Sequence, residues 1–157
     1  MQKITPCLWF DRQAEEAARF YVSIFKNSKI GEITRYGEGA PLPKGTVLTV
    51  RFQLDGQDFL ALNGGPVFKF TEAISLIVNC DTQEEIDRMW DKLSEGGQQV
   101  ECGWLKDKYG LSWQIAPAVI GKMLSDPDPA RGARVLQAVL KMKKLDIKKL
   151  EEAYGRS

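Results

Sequence analysis

Between Thr46 and Asn63 the chain alternates apolar with polar or small residues. TVLTVRFQL (46–54) puts Leu48, Val50 and Phe52 against Thr49, Arg51 and Gln53, and QDFLALN (57–63) follows across Asp55-Gly56. A period of two on both sides of an Asp-Gly pair predicts a β-hairpin. ITPCLWF (4–10) and KIGEITRY (29–36) read as strands before it, with a Gly/Pro-rich loop over 37–45 and Gly64-Gly65-Pro66 as terminator. Between the two strands, Ala14, Ala17, Ala18, Tyr21, Ile24 and Phe25 keep helical spacing, with Asp11 as the expected cap.

The same order then returns. AISLIVNC (73–80) is a strand, and Thr82 with Glu85 forms a capping box. Ile86, Met89, Trp90 and Leu93 make the buried stripe of a helix closed by Gly96-Gly97, and QVECGWL (99–105) and LSWQIAP (111–117) supply further strands. A shift of seventy residues lays FDRQAEEAARFY over CDTQEEIDRMWD, matching Asp11 with Asp81, Gln13 with Gln83 and Glu15 with Glu85. Together with the element order this predicts a duplicated β-α-β-β-β module in an α+β protein. The expected layout is one domain over 1–157, with modules at 1–66 and 73–117 and a helical tail over 118–157. In the tail Asp128-Pro129 opens a helix whose apolar positions are Leu136, Val139 and Leu140, and Asp146 caps a last helix carrying Ile147, Leu150 and Tyr154.

The alternation also assigns faces. Thr49, Arg51 and Gln53, then Phe59, Ala61 and Asn63, then Ser75, Ile77 and Asn79 are expected on one face with Gln114. Leu48, Val50, Phe52, Leu60, Leu62, Ile74, Leu76, Val78, Trp113 and Ile115, with Cys7, are expected against the helices. The first set mixes amides, hydroxyls, an aromatic ring and one guanidinium, the makeup of a small-molecule pocket, or equally of a wet sheet face or a dimer seam. Arg51 is its only charge. A shielded arginine needs an anion, either a ligand's carboxylate or phosphate or an acid of its own chain.

Composition narrows the chemistry. Lys and Arg total 22 against 21 Asp and Glu, for a formal net charge of +1, so no global field draws in nucleic acid or anionic lipid. The lysine-rich stretch from Lys141 to Lys149 is balanced by Glu151 and Glu152 and reads as a solvated helix face. The chain contains no histidine, which removes Ser-His and Cys-His nucleophile pairs and the usual nitrogen ligand of zinc. Cys7, Cys80 and Cys102 form no Cys-x-x-Cys pair and suit a reducing compartment. With no leader-like start and no segment of membrane-spanning length, the expected location is the cytoplasm.

TPCLWFDRQAEEAARFY, ALNGGP, the Val78–Asp81 run followed by EEID, WLKDKYGLSWQIAP and LKMKKLDIKKLEEAY resemble the PhnB-like branch of the vicinal oxygen chelate superfamily, the glyoxalase, bleomycin-resistance and ring-cleaving dioxygenase group. The resemblance spans essentially the whole chain. It implies paired β-α-β-β-β modules curling into an open half-barrel around a ligand cavity, usually in a homodimer. Carried onto this sequence, the metal-ligand positions of metal-using members fall on Pro6, Ala61, Ala73 and Gln114. These offer one neutral amide between them, so no metal cofactor is expected and Gln114 is read as a hydrogen-bonding wall residue. Members of the branch carry a demethylubiquinone methyltransferase label, yet nothing in this chain resembles a Gly-rich methyl-donor loop opening a helix beside a parallel sheet.

Two readings follow. One is a metal-free protein binding a small molecule, with Thr49, Arg51, Gln53, Phe59, Asn63, Asn79 and Gln114 as ligand contacts. The other is an enzyme acting on a small oxygenated metabolite, with Arg51 polarising a carbonyl and a tyrosine, cysteine or bound water moving the proton.

Overall fold

The structure, a computed structural model, describes residues 2–155 and divides into two compact units, Met1–Phe70 and Thr71–Ser157. The first is a four-stranded sheet covered by one helix: β1 (Cys7–Phe10), α1 (Ala14–Ile24), β2 (Lys29–Arg35), β3 (Val47–Leu54) and β4 (Gln57–Asn63), in spatial order β1-β4-β3-β2. β1 runs parallel to β4, and the other neighbours are antiparallel. Asp55 (φ 49°) and Gly56 (φ 78°) are both left-handed, as the two-residue turn joining β3 to β4 requires. α1 lays Ala14, Ala17, Ala18, Tyr21 and Ile24 on the sheet, where Tyr21 stacks on Phe52 and Phe52 on Phe59. Fully burying a side chain of the size of Ile24 or Phe52 contributes about 1.5–3 kcal/mol.

The N-cap of α1 is Gln13 and not Asp11, and its side chain makes no capping bond. Asn63, at the end of β4, does that work from a distance: its Oδ1 accepts from Ala14 N at 2.9 Å, and its Nδ2 donates to Val47 O at 3.0 Å.

The second unit repeats the plan with β5 (Ser75–Cys80), α2 (Gln83–Ser94), β6 (Gln98–Gln99), β7 (Trp104–Lys106) and β8 (Ser112–Pro117), in the corresponding order β5-β8-β7-β6. α2 starts at the expected Thr82, whose side chain accepts from Glu85 N, and buries Ile86, Met89, Trp90 and Leu93. The strand expected over 99–105 is instead two short strands and a turn. Cys102 (φ 62°) and Gly103 (φ 83°) are left-handed, and Trp104 N donates to Glu101 O, so the chain reverses inside the segment.

The C-terminal helices belong to this unit. α3 (Ile120–Leu124), which the sequence pattern did not announce, is followed by α4 (Pro129–Val139) and α5 (Ile147–Gly155) around Met123, Val135, Val139, Leu145 and Leu150. Asp128 and Asp146 cap α4 and α5 as expected, but Leu136 and Leu140 point outward, and Val135 and Val139 carry the contact. The turn at 102–103 anchors the tail through Cys102 N to Met142 O (2.8 Å) and Gly103 N to Lys143 O (2.7 Å). Gln83 adds bonds to Leu145 O and Ile147 N.

α4 and α5 are clasped by a second group of contacts. Tyr154 Oη donates to Asp126 Oδ2 at 2.6 Å, Arg131 Nε donates to Tyr154 O, and the Arg131 guanidinium lies 3.8 Å over the Tyr154 ring. The Tyr154 hydroxyl, with Asp128 N, holds the Asp126 carboxyl below the usual aspartate value of 3.8, and the same bond raises the Tyr154 phenol above 10.0. A lowered acid stabilises the fold at higher pH and loses that contribution as pH falls through its folded pKa; a raised phenol loses its contribution as pH rises through its own. The expected result is a clasp intact across the neutral range. Amide protection factors in Ile147–Gly155, which remove the intrinsic pH dependence of exchange, should fall on acidification below 3.8 and again above 10.0. Asp126→Asn should flatten the acid limb; unchanged acid sensitivity in that variant would refute the assignment.

Candidate functional site

Each sheet has one face packed on its helix and one left open. On the open face of the first unit the register sets residues in rows across β4, β3 and β2: Asp58–Gln53–Lys29, then Leu60–Arg51, then Leu62–Thr49–Thr34. β1 adds Cys7 beside Leu60 and Trp9 beside Leu62. Gln53 Nε2 donates to Asp58 Oδ1 at 2.7 Å, and the hydroxyls of Thr34 and Thr49 bond at 2.5 Å. A hollow of about 190 Å³ opens among Lys29, Gly31, Arg51, Gln53 and Asp58, with Phe52 and Phe59 completing its wall. Arg51 is exposed and, among the described residues, has neither a hydrogen bond nor an ion pair. At the far end of the face, Trp9 Nε1 donates to Gly65 O, and the indole lies so close to Gly64 that a Cβ there would sit 2.3 Å from the ring. That contact accounts for the first glycine of Gly64-Gly65-Pro66.

On the open face of the second unit, Ile77–Gln114–Trp104 form one row and Ser75–Ser112–Lys106 the next. Gln114 Nε2 donates to Ser75 Oγ at 2.8 Å, Lys106 pairs with Glu72, and the buried Ser112 Oγ has no partner. Asn79, exposed beside Ala116, shares this face.

The sequence-derived faces hold for Thr49, Arg51, Gln53, Asn79 and Gln114 and fail for β4. Phe59 and Asn63 are expected on the open side but are 6 % and 2 % exposed on the helix side, with Ala61 between them; Leu60 and Leu62 take the open positions. Register is the cause. A two-residue turn pairs Leu54 with Gln57, so every odd-numbered residue of β3 faces an even-numbered one of β4. Cys7 is likewise on the open side and exposed, while Leu8 and Phe10 enter the core, and Ile74, also expected against the helices, is exposed just ahead of β5, outside the strand pairing that would fix its face. Partial burial still raises its thiol above the usual value, and burial beside Glu85 and Asp81 pushes the Cys80 thiol up to about 12. Neither is primed as a thiolate at neutral pH.

The face correction also moves the positions where a metal would be sought. Cys7 and Leu60 pair on the open side of the first sheet, and Ile77 and Gln114 form the equivalent pair in the second. The first pair offers one thiol and the second one amide, and neither by itself makes a divalent-cation site. Among the described residues no group of three His, Cys, Asp or Glu side chains is placed to hold a metal ion.

Two residues that matter locally escaped the sequence reading: Asp107, which organises the turn before β8, and Asn63 as a cap. For Asp107 the signal was present in Asp-x-x-Gly (107–110) between two apolar runs, a turn pattern in which Asp bonds the backbone ahead of it.

Residues 2–116 match the model of the 3-demethylubiquinone-9 3-methyltransferase family, and the chain belongs to that family. Among solved structures it is similar to the PhnB protein of Bacillus cereus, a candidate 3-demethylubiquinone-9 3-methyltransferase, at 44 % identity and a TM-score of 0.67, covering 73 % of this chain and 98 % of that one. A protein from Pseudomonas aeruginosa gives 19 % identity and a TM-score of 0.61 over 74 % of this chain and 98 % of that one, which supports the fold alone. A fosfomycin resistance protein from Listeria monocytogenes aligns at 14 % identity and a TM-score of 0.47 over 74 % of this chain and 93 % of that one. No match was found among curated proteins. The chain shares the fold of the PhnB protein, with open sheets and a helical C-terminal part. Among the described residues no helix is long and apolar enough to cross a membrane.

Proposed function

We propose that the protein binds a small organic molecule on its open sheet faces without a metal ion, as a cytoplasmic homodimer. Thr49, Arg51 and Gln53 are the proposed contacts in the first unit, and Asn79 and Gln114 in the second. The observation that carries this reading is Arg51, a guanidinium aimed from the middle strands of an open face with no acid partner among the described residues. The donor-poor pairs, Cys7 with Leu60 in the first unit and Ile77 with Gln114 in the second, support the metal-free part. Each sheet leaves two edge strands, which a symmetric partner would cover.

The methyltransferase activity in the family's name has less support. Among the described residues the only parallel pairs are β1 with β4 and β5 with β8, the segments that lead from them into α1 and α2 (11–13 and 81–82) contain no glycine, and Gly64-Gly65-Pro66 opens no helix, so no Gly-rich loop at a helix N-terminus is available for a nucleotide-like methyl donor.

Native mass spectrometry of untagged protein should show a dimer of the 17.7 kDa chain that carries or takes up organic molecules, with the adducts unchanged by chelator. One equivalent of a transition metal per chain, or methyl transfer from a sulfonium donor to a phenol, would overturn the proposal.

A further inference from the structure

The polar end of the first open face is built for one kind of ligand. β2 and β3 are in register at Ile30 with Phe52 and again at Ile33 with Val50, so Gly31 and Glu32 together oppose the single residue Arg51. Such a bulge leaves the ladder locally unpaired and re-aims the side chain opposite it. Its first residue has no side chain, and a Cβ at Gly31 would sit 3.4 Å from Arg51 Cβ and 3.3 Å from Arg51 O. Glycine therefore keeps the space beside the arginine stem clear, and that space is part of the hollow.

Charge around the hollow is arranged in two halves. Lys29 and Arg51 stand on one side, both exposed and both without a hydrogen bond or ion pair among the described residues; Glu32, across the bulge, makes no ion pair with either. On the other side Asp58 spends Oδ1 on Gln53 Nε2, which leaves Asp58 Oδ2 and Gln53 Oε1 as acceptors. Two cations suit a carboxylate, while two acceptors in the same row suit an adjacent O–H or N–H. At about 190 Å³ the hollow is smaller than the roughly 300–1,000 Å³ usual for a ligand pocket, which suits a small ligand.

We propose that this bulge site, Lys29, Gly31 and Arg51 facing Gln53 and Asp58, binds a small carboxylate bearing a hydroxyl or amino group on the neighbouring carbon. The inference rests on the ligand-binding reading above and names the ligand class and its place. Arg51 and Lys29 hold the carboxylate, and Asp58 and Gln53 accept from the neighbouring donor. The carboxylate of Asp58 disfavours anions that bring no donor of their own.

Amide NMR titration of the full chain with glycolate, glycine, acetate and inorganic phosphate tests it. Glycolate or glycine should shift Gly31, Arg51, Gln53 and Asp58 in a saturable way, and more tightly than acetate or phosphate. Arg51→Met should weaken glycolate on the order of ten- to a hundredfold, the loss of a charge-assisted contact. Asp58→Asn should abolish the preference for glycolate over acetate, with acetate binding tighter than in the wild-type chain because the repelling carboxylate is gone. Lys29→Met, an exposed change that leaves the fold alone, should weaken every carboxylate several-fold. Equal binding of acetate and glycolate to the wild-type chain, or saturable shifts confined to other strands, would overturn the bulge site and leave ligand binding by the open faces standing. Absence of saturable shifts from any of the four probes would overturn the bulge site too; if no organic adduct is found by native mass spectrometry either, the broader reading falls with it.

Discussion

Asp107→Ala is expected to lower the unfolding free energy by on the order of 3–5 kcal/mol, a large part of the 5–15 kcal/mol typical of a domain. The carboxyl is 3 % exposed and sits in the turn that feeds β8. Oδ1 accepts from Tyr109 N at 2.8 Å and Leu111 N at 3.1 Å, and Oδ2 accepts from the Trp113 indole at 2.9 Å. Removing it strands two buried donors, Leu111 N and Trp113 Nε1, and a partly buried third, Tyr109 N, and each buried orphan costs about 1–3 kcal/mol. Asp107→Asn should lose less, since one oxygen remains, but its amide would turn donors toward donors. Urea melts followed by tryptophan fluorescence should show a lower midpoint with an unchanged slope. A loss below about 1 kcal/mol in the alanine variant would mean that water reaches these donors.

The same turn shows why much of this fold was legible and part of the site was not. Strand existence, the two helices of the modules, the Thr82 cap and the Asp55-Gly56 hairpin follow from local periodicity and turn chemistry, which the sequence states outright. The faces of β4 do not follow from alternation alone. QDFLALN alternates equally well in either phase, and only the two-residue turn pairs Gln53 with Asp58 and sends Phe59 and Asn63 to the helix. The Asp55-Gly56 pair itself carries that information, because a two-residue turn fixes Leu54 opposite Gln57. The bulge opposite Arg51 is a different matter: KIGEITR alternates imperfectly, and one extra residue in β2 shows itself only against its partner strand. In the tail, Val135 with Val139 and Leu136 with Leu140 satisfy the same helical spacing, and the packing of α4 against α3 and α5 chose the first pair.

Asn63→Ala should destabilise the first unit by on the order of 2–4 kcal/mol and identify Asn63 as a structural clamp between two elements. The side chain is 2 % exposed, on the helix side of β4, and holds both of its polar atoms in use. Oδ1 supplies the acceptor that Gln13, the residue in the N-cap position, fails to offer, and Nδ2 ties the start of β3 through Val47 O. The Asn63 backbone carbonyl also accepts from Tyr36 Oη at 2.6 Å, but that bond survives truncation of the side chain. Asn63→Asp separates the two contributions. A carboxylate still accepts from Ala14 N, where the helix dipole favours negative charge, while the donor to Val47 O is lost. The aspartate variant should therefore lie between wild type and alanine in stability. Glycolate affinity, corrected for the folded fraction, should be the same in all three, because Asn63 faces away from the rows that hold Arg51 and Gln53. Tighter or weaker binding in a fully folded Asn63 variant would return this residue to the ligand and contradict the face on which the structure places it.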